Sequence, residues 1–511
     1  MSRIILAALV CACALAPAAS AAPAKKAKPA KPDYSAQLQK AVTVQGMLRH
    51  ERALANIAER NNNTRASGTA GFNKSRDYVV GQLQAAGYDV TVQPFDFPYF
   101  EESSPSTLAT DSKTYTQGPG NDFNIMQYSG SGDVTAPLVA VDLTLPPAPE
   151  PSSTSGCEAA DFAGFPAGAV ALVQRGTCAF GDKVDNAVAA GASAVIIFNE
   201  GQEGRTDSQG GTLGGPKDVP VLFTSFAVGN DLANQAAAGT DAHVVTTTVN
   251  ETRETYNVLA DTKKGDAART IVVGSHLDSV TEGPGINDDG SGTAQDLEIA
   301  RQLPSVLKKP KNKIRFAFWG AEESGLLGST HYVESLTEDQ KDAIMANLNF
   351  DMVASPNYAR LIYDGDGSDN PDTGPGPIGS DVIEQILSSY WDAKGLAHES
   401  TAFDGRSDYG PFIDAGIPAG GTFSGAEEIK TAEQAQKYGG TAGEPFDACY
   451  HQACDNLQNL NLQAFDEFSD NAANAVVTLA QRPADLTDNT AARRTLKAKA
   501  APEFVGPDAV R

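Results

Sequence analysis

The chain has 511 residues, 41% of them hydrophobic, and a formal net charge of −25. Such a length exceeds one ordinary core, so more than one domain is expected, and the apolar share is that of a globular protein, not a disordered one. The acidic balance argues against nucleic acid as a partner, because phosphates would be repelled.

Residues 1–21 read as an export signal: Arg3, an apolar stretch over 4–15, and Ala19-Ser20-Ala21 as the cleavage site. The apolar stretch is too short to span a bilayer. No later stretch approaches that length, so the mature protein is expected to be exported, secreted or periplasmic, with no membrane anchor. Residues 22–42 are rich in Ala, Lys and Pro and read as a leader or linker. Of six cysteines, Cys11 and Cys13 fall in the signal. The even remainder, Cys157, Cys178, Cys449 and Cys454, reads as two disulfides in an exported chain.

Structured sequence is expected from about Thr43. Apolar spacing predicts helices over 48–60 and 72–86, the second burying Tyr78, Val79 and Leu83. A strand follows over 90–95, the opposite edge of a first catalytic segment spanning 43–98. From 99 the composition turns to Ser, Thr, Gly and Pro. Short strands are predicted over 137–143, 169–174, 194–198 and 219–224, with one helix over 180–190. Residues 99–250 therefore read as an inserted domain. Residues 251–482 resume the main domain with strands over 256–259, 269–274, 314–319 and 344–350, and a helix over 291–303. Residues 483–511 form a polar tail. Alternating strands and helices predict an α/β fold with a mostly parallel, mixed sheet flanked by helices.

In such sheets the active site lies beyond the carboxyl ends of the strands. His276, Glu322, Glu323 and Asp351 all end or follow an apolar run, and Asp288-Asp289-Gly290-Ser291-Gly292 is a turn of small residues between them. Imidazoles and carboxylates gathered at one edge suit a pair of zinc ions, ~3.5–4 Å apart, sharing a carboxylate. Asp288 is placed to reach both. Asp278, two residues beyond His276, can return to the far ring nitrogen and fix its tautomer. Of the adjacent Glu322 and Glu323, one can bind metal while the other acts as a base. A lone His-x-Asp is more often a surface loop, and a lone Asp-Asp-Gly-Ser-Gly a helix cap; their combination with Glu-Glu at a strand end makes those readings improbable. His50, His243, His331 and His398 have no such context and read as surface or packing residues.

The stretches V-V-G-S-H-L-D-S-V-T-E-G-P-G-I-N-D-D-G-S-G, F-W-G-A-E-E-S-G-L-L-G-S, N-F-D-M and C-Y-H-Q-A-C-D resemble the M28 family of di-zinc exopeptidases, and within it the secreted bacterial leucine aminopeptidases. The resemblance implies two zinc ions, with His276 and Asp351 on one, Glu323 and His451 on the other, and Asp288 bridging. It makes Glu322 the general base, Asp278 the support of His276, and Tyr450 a donor to the oxyanion. Arg406, Met352 and Phe423 match substrate-site positions, and Cys449–Cys454 matches a family disulfide. The inserted block is similar to a protease-associated (PA) domain through G-C-E-A-A-D-F, V-A-L-V-Q-R-G-T-C-A-F-G-D-K-V-D-N-A and G-A-S-A-V-I-I-F-N, where Cys157 and Cys178 would pair. Some relatives also bind calcium. Asp466 and Asp470 match two of its ligands, but the third falls near Ala41, which has no carboxylate.

What the resemblance implies is a zinc-dependent aminopeptidase acting on peptides with a large apolar N-terminal residue; the chain is expected to be a monomer. Carboxypeptidases and glutaminyl-cyclase-like enzymes share much of the metal constellation, and receptor-like relatives keep the scaffold with a dead site. Tyr450-His451 and Gly405-Arg406-Ser407-Asp408 favour the aminopeptidase, and the full set of ligands favours activity.

Overall fold

A computed structural model describes Met1 and residues 32–486, apart from 119, 209, 371 and 372. The export signal and most of the leader lie outside the described residues, as does the tail beyond 486.

The first helix, α1 (Tyr34–Ala41), lies inside the segment read as leader. Leu38 is fully buried and belongs to the main core, so order begins earlier than the Ala/Lys/Pro composition indicates. α2 (Val44–Glu59) starts at Thr43, whose hydroxyl accepts from the Gly46 N–H, an N-cap. α3 (Ala70–Ala85) follows, burying Val79 and Leu83, with Tyr78 half-buried.

β1 (Asp89–Thr110) is much longer than the strand expected over 90–95. It pairs with short β2 (Lys113–Thr114) and then, along nearly its whole length, with β8 (Asp241–Asp261). Tyr99 opposes Glu251 and Phe100 opposes Asn250. The two junctions read as domain boundaries are thus neighbours on one continuous two-stranded ribbon. Bulges at Glu102/Ser104 and Ser104/Thr107 absorb the Ser/Pro-rich sequence that hid the strand.

Between the ribbon strands lie β3 (Phe123–Ile125), β4 (Gly132–Ala140), β5 (Val170–Gln174), α4 (Phe180–Ala189), β6 (Ala194–Phe198), β7 (Val221–Thr224) and α5 (Phe226–Ala237). Helix α5 is additional to the single helix expected there. β4, β5, β6 and β7 pair in parallel, with β3 antiparallel to β7. One apolar layer lies around Phe180 and Val184 and a second around Val228 and Leu232. The Cys157–Cys178 disulfide closes the α4 side of this unit.

The main sheet continues with β9 (Asp266–His276), α6 (Gly290–Val306), β10 (Asn312–Trp319), α7 (Leu327–Ser335), α8 (Glu338–Asp342), β11 (Ile344–Phe350), β12 (Leu361–Tyr363), α9 (Ser380–Lys394), β13 (Glu399–Thr401), α10 (Gly410–Asp414), β14 (Ala419–Phe423), α11 (Ala432–Tyr438) and α12 (Leu462–Gln481). Its order is β13-β12-β14-β11-β9-β10-β8. β10, β9, β11 and β14 run parallel, while β8 and β12 join antiparallel. Central β11 is buried throughout, as an apolar parallel strand covered on both faces must be. Helices α1, α2, α3, α6, α9 and α12 contribute to one shared core with the sheet. Residues 483–486, read as tail, still pack: Leu486 joins this core and the Pro483 carbonyl accepts from Arg269.

Candidate metal centre

Strand ends deliver the ligands. His276 is the last residue of β9, and Asp351 immediately follows β11. Glu322 and Glu323 follow β10 after a turn in which Ala321 takes φ 53°. Asp288 precedes α6. Its neighbour Asp289 caps that helix, accepting from Gly292 N, and also accepts from Met352 N and His276 N. Asp289 thereby ties three ligand-bearing segments together. The helix-cap reading of Asp-Asp-Gly-Ser-Gly therefore holds alongside the metal reading; the ties to Met352 and His276 leave no spacing signature, and the sequence reading missed them.

These side chains converge. Asp288 Oδ1 lies 3.0 Å from His276 Nε2, and Asp288 Oδ2 lies 3.2 Å from His451 Nε2. Asp351 Oδ1 is 3.5 Å from His276 Nε2, and Glu323 Oε2 is 3.1 Å from His451 Nε2. Each oxygen of Asp288 therefore faces a different imidazole and a different second carboxylate. Glu322 Oε2 stands off at 4.0 Å from His276. The His276 Nδ1 side meets the main-chain oxygen of Asp278 at 3.1 Å, with the Asp278 carboxylate at 3.7 Å. Asp278 Oδ1 instead accepts from the Glu322 N–H. Its contact with His276 is thus chiefly through the backbone, a shift from the carboxylate contact expected.

The electrostatics favour positive charge among these carboxylates. Burial alone would lower His276 and His451, yet both are held well above the ordinary imidazole value by the carboxylates around them, chiefly Glu322 and Asp351 for the first and Glu323 for the second. Burial pushes Glu323 up to about 7 despite His451. Asp288, which burial would raise, is held low by its hydrogen bonds to both imidazoles. Glu323 Oε1 and Asp351 Oδ1 are buried with no hydrogen-bond partner among the described residues. A buried charge must be paired or bind metal, and imidazole with carboxylate is the donor set zinc takes in catalytic sites. The residues present fit zinc.

One cavity joins Asp288, Glu322, Glu323, Asp351 and His451 to Arg406, Met352, Phe423 and Tyr450. Tyr450 stacks on His451 with ring centroids 3.8 Å apart, and Arg406 reaches its hydroxyl at 3.4 Å while pairing with Glu427 at 2.7 Å. The Cys449–Cys454 disulfide brackets this pair. Elsewhere, Asp466 and Asp470 line a surface groove with Gln39, Lys40 and Thr43. Of the residues lining this groove only Asp466 and Asp470 carry carboxylates, and no third acid joins them. His50 is buried between Tyr78 and Glu298, and His331 stacks on Phe95.

An aminopeptidase of Pseudomonas aeruginosa is 47% identical to this chain over 437 residues, covering 85% of this chain and 80% of that one. The chain belongs to peptidase family M28. The profile described as Peptidase family M28 matches residues 257–476, and that of the PA domain matches residues 134–232. A probable leucine aminopeptidase 2 of Aspergillus fumigatus is 43% identical over 411 residues, 79% of this chain and 77% of that one. The crystal structure of a zinc aminopeptidase from Bacillus subtilis superposes with a TM-score of 0.62 at 25% identity, covering 87% of this chain and 97% of that one. This M28 chain is accordingly a metalloaminopeptidase with an inserted PA domain.

Proposed function

We propose that this M28 enzyme is an exported aminopeptidase that binds two zinc ions and removes large apolar residues from the N-termini of peptides. One observation carries the two-metal reading: the two oxygens of Asp288 face separate imidazole–carboxylate pairs. His276 and Asp351 would hold one ion, His451 and Glu323 the other, and Asp288 both. When bound, zinc supplies Lewis acidity, which acidifies water and polarises a carbonyl oxygen.

The chain's own residues supply the rest. Glu322 is buried and faces the cavity without a ligand's place, so it is positioned to take a proton from the attacking water and pass it to the leaving amine. Burial raises its pKa well above the usual carboxylate value, which His276 partly offsets; a raised value suits a group that must both accept and release a proton. Burial also keeps the Tyr450 hydroxyl protonated, so it can donate to the carbonyl oxygen as charge develops there. Glu322 and Asp351 place negative charge where a free α-ammonium would sit. An internal peptide bond has no ammonium to offer, so exopeptidase action follows.

Export rests on the signal pattern over 1–21, and no helix among the described residues is long and apolar enough to cross a membrane. The test is hydrolysis of leucyl anilide against N-acetyl-leucyl anilide, each with and without a chelator. Zinc-dependent cleavage of the free amine alone is expected; equal rates on the acetylated substrate would refute amine recognition.

A further inference from the structure

Arg65 is fully buried, on the loop before α3, and takes no part in the proton transfers of the reaction. Every nitrogen of its guanidinium donates to main-chain oxygen in one segment: Nε to Pro284 at 2.8 Å, and the other two to Leu277 and Gly285. That segment is the irregular connection between His276 and Asp288. The Arg65 N–H adds a bond to Ser279 Oγ at 2.9 Å, and Thr64 Oγ1 donates to the Val280 carbonyl at 2.8 Å. Ser279 Oγ also reaches the Gly283 carbonyl at 3.0 Å. The far end of the connection is fixed separately: Asp455 accepts from Asn287 N at 2.8 Å and Asp288 N at 3.0 Å.

The backbone is shaped around this clamp. Gly285 has φ +59°, and a Cβ there would lie 2.4 Å from both the Asp288 carbonyl oxygen and Ser279 Cβ. Only glycine lets the chain turn tightly enough for carbonyls on both sides of the turn to face one guanidinium. A lysine could not reproduce this, because a single ammonium lacks the planar fork that spans three acceptors. Glu51 is fully buried too, its carboxylate oxygens take no hydrogen bond among the described residues, and of the carboxylates acting on the Arg65 guanidinium it has the largest influence. Gly290, the first residue of α6, leaves room for it: a Cβ there would meet Glu51 Oε2 at 2.9 Å.

We infer that Arg65 is a positioning residue: by clamping the Leu277–Gly285 backbone it sets the separation of His276 from Asp288, and with it the affinity of the two-zinc site. The inference rests on the two-zinc reading above. Outer contacts that orient metal ligands typically change affinity ~10–100-fold when removed, and this clamp acts on a ligand at each end of the loop.

The test is zinc affinity of the full chain, read by competition with a chromogenic chelator, for the unaltered protein, Arg65→Met, Arg65→Lys and Ser279→Ala. Arg65→Met should weaken zinc binding by ~10–100-fold and Arg65→Lys by nearly as much. With zinc in excess, the loss on leucyl anilide should fall on kcat with KM little changed. Ser279→Ala removes a tie to the same loop without leaving Glu51 uncompensated, so it reports even if the Arg65 variants do not fold. It should weaken zinc binding several-fold. If the unaltered protein binds no zinc, the two-zinc reading fails. Should it bind zinc, and Ser279→Ala and any folded Arg65 variant match its affinity within twofold while melting earlier, Arg65 only stabilises the fold and the inference is overturned.

Discussion

Ser407 Oγ donates to Asp351 Oδ2 at 2.6 Å and accepts from Asn349 Nδ2 at 2.8 Å. Asp351 thus enters the metal centre with one oxygen already fixed and the other, Oδ1, turned toward His276. Ser407→Ala frees the carboxylate to rotate. We expect zinc affinity to fall by roughly tenfold, the low end for such contacts, with the fold intact; chelator competition with a melting curve as control measures both. Unchanged affinity would show that Asp351 needs no support from Ser407.

Glu322→Gln should leave zinc bound and lower turnover at least ~100-fold, the low end for loss of a general base. The carboxylate lies 4.0 Å from His276, outside the closer set of imidazole–carboxylate contacts. Metal content and kcat measured on one preparation separate the roles. Loss of zinc would make Glu322 a ligand, and near-native turnover would place the base elsewhere.

Zinc uptake by the metal-free protein should release protons. His276 and His451 are held above their ordinary value by surrounding carboxylates that outweigh burial. Because their folded pKa values are raised, their contribution to the metal-free fold is full below about pH 6.5 and is lost as pH rises through the raised values. Zinc needs neutral imidazoles, so its affinity falls as pH drops through the same window. Calorimetry near pH 6.5 in two buffers of different ionisation enthalpy would detect the release; identical heats would argue against it.

How far the sequence was legible depended on where a residue's information lies. His276, Glu322, Glu323 and Asp351 were readable because each terminates or follows an apolar run, and such runs become buried parallel strands. His451 sits on a loop with φ +56° and follows no apolar run; its place after the acidic groups, bracketed by Cys449 and Cys454, singled it out, and the resemblance gave it a ligand's role. Arg65, Asp289, Asp455 and Ser407 bind backbone groups or another ligand's oxygen across long stretches of chain, a relationship that periodicity cannot express. Helices α1 and α5 were missed because Ala-, Gln- and Asn-rich segments show little apolar stripe until a neighbouring surface covers them. The ribbon β1–β8 was half-read because its Ser/Pro stretch is absorbed by bulges.

Replacing Cys449 and Cys454 with Ser together should lower stability by about 2 kcal/mol, the value for closing so short a loop. The larger effect should be local. The bond brackets Tyr450 and His451, and His451 is the imidazole contacting Glu323 and Asp288 Oδ2. Zinc titration of the variant should show one ion lost before the other. Loss of the two ions in the same manner from the variant and the unaltered protein would show that the loop holds its shape without the disulfide.

The first residue of the substrate should meet an apolar wall. Met352, Tyr363, Phe423 and Tyr450 line the cavity beside the metal ligands, so apolar and aromatic surface lies next to the bond to be cut. Leucine carries three more carbons than alanine. At ~0.8 kcal/mol for each buried methylene, leucyl anilide should exceed alanyl anilide in kcat/KM by roughly 50-fold. A glutamyl side chain would bring a carboxylate into a cavity that already holds Asp404 and Glu428, so glutamyl anilide should rank last. Lysyl anilide should fall between, its stem packing on the wall and its charge drawn to those acids. Phe423→Ala should narrow the leucyl-to-alanyl ratio while leaving alanyl cleavage nearly unchanged, because the lost surface touches only the longer side chain. A preference for glutamyl or lysyl substrates, or a ratio untouched by Phe423→Ala, would move the side-chain pocket to another wall of the cavity.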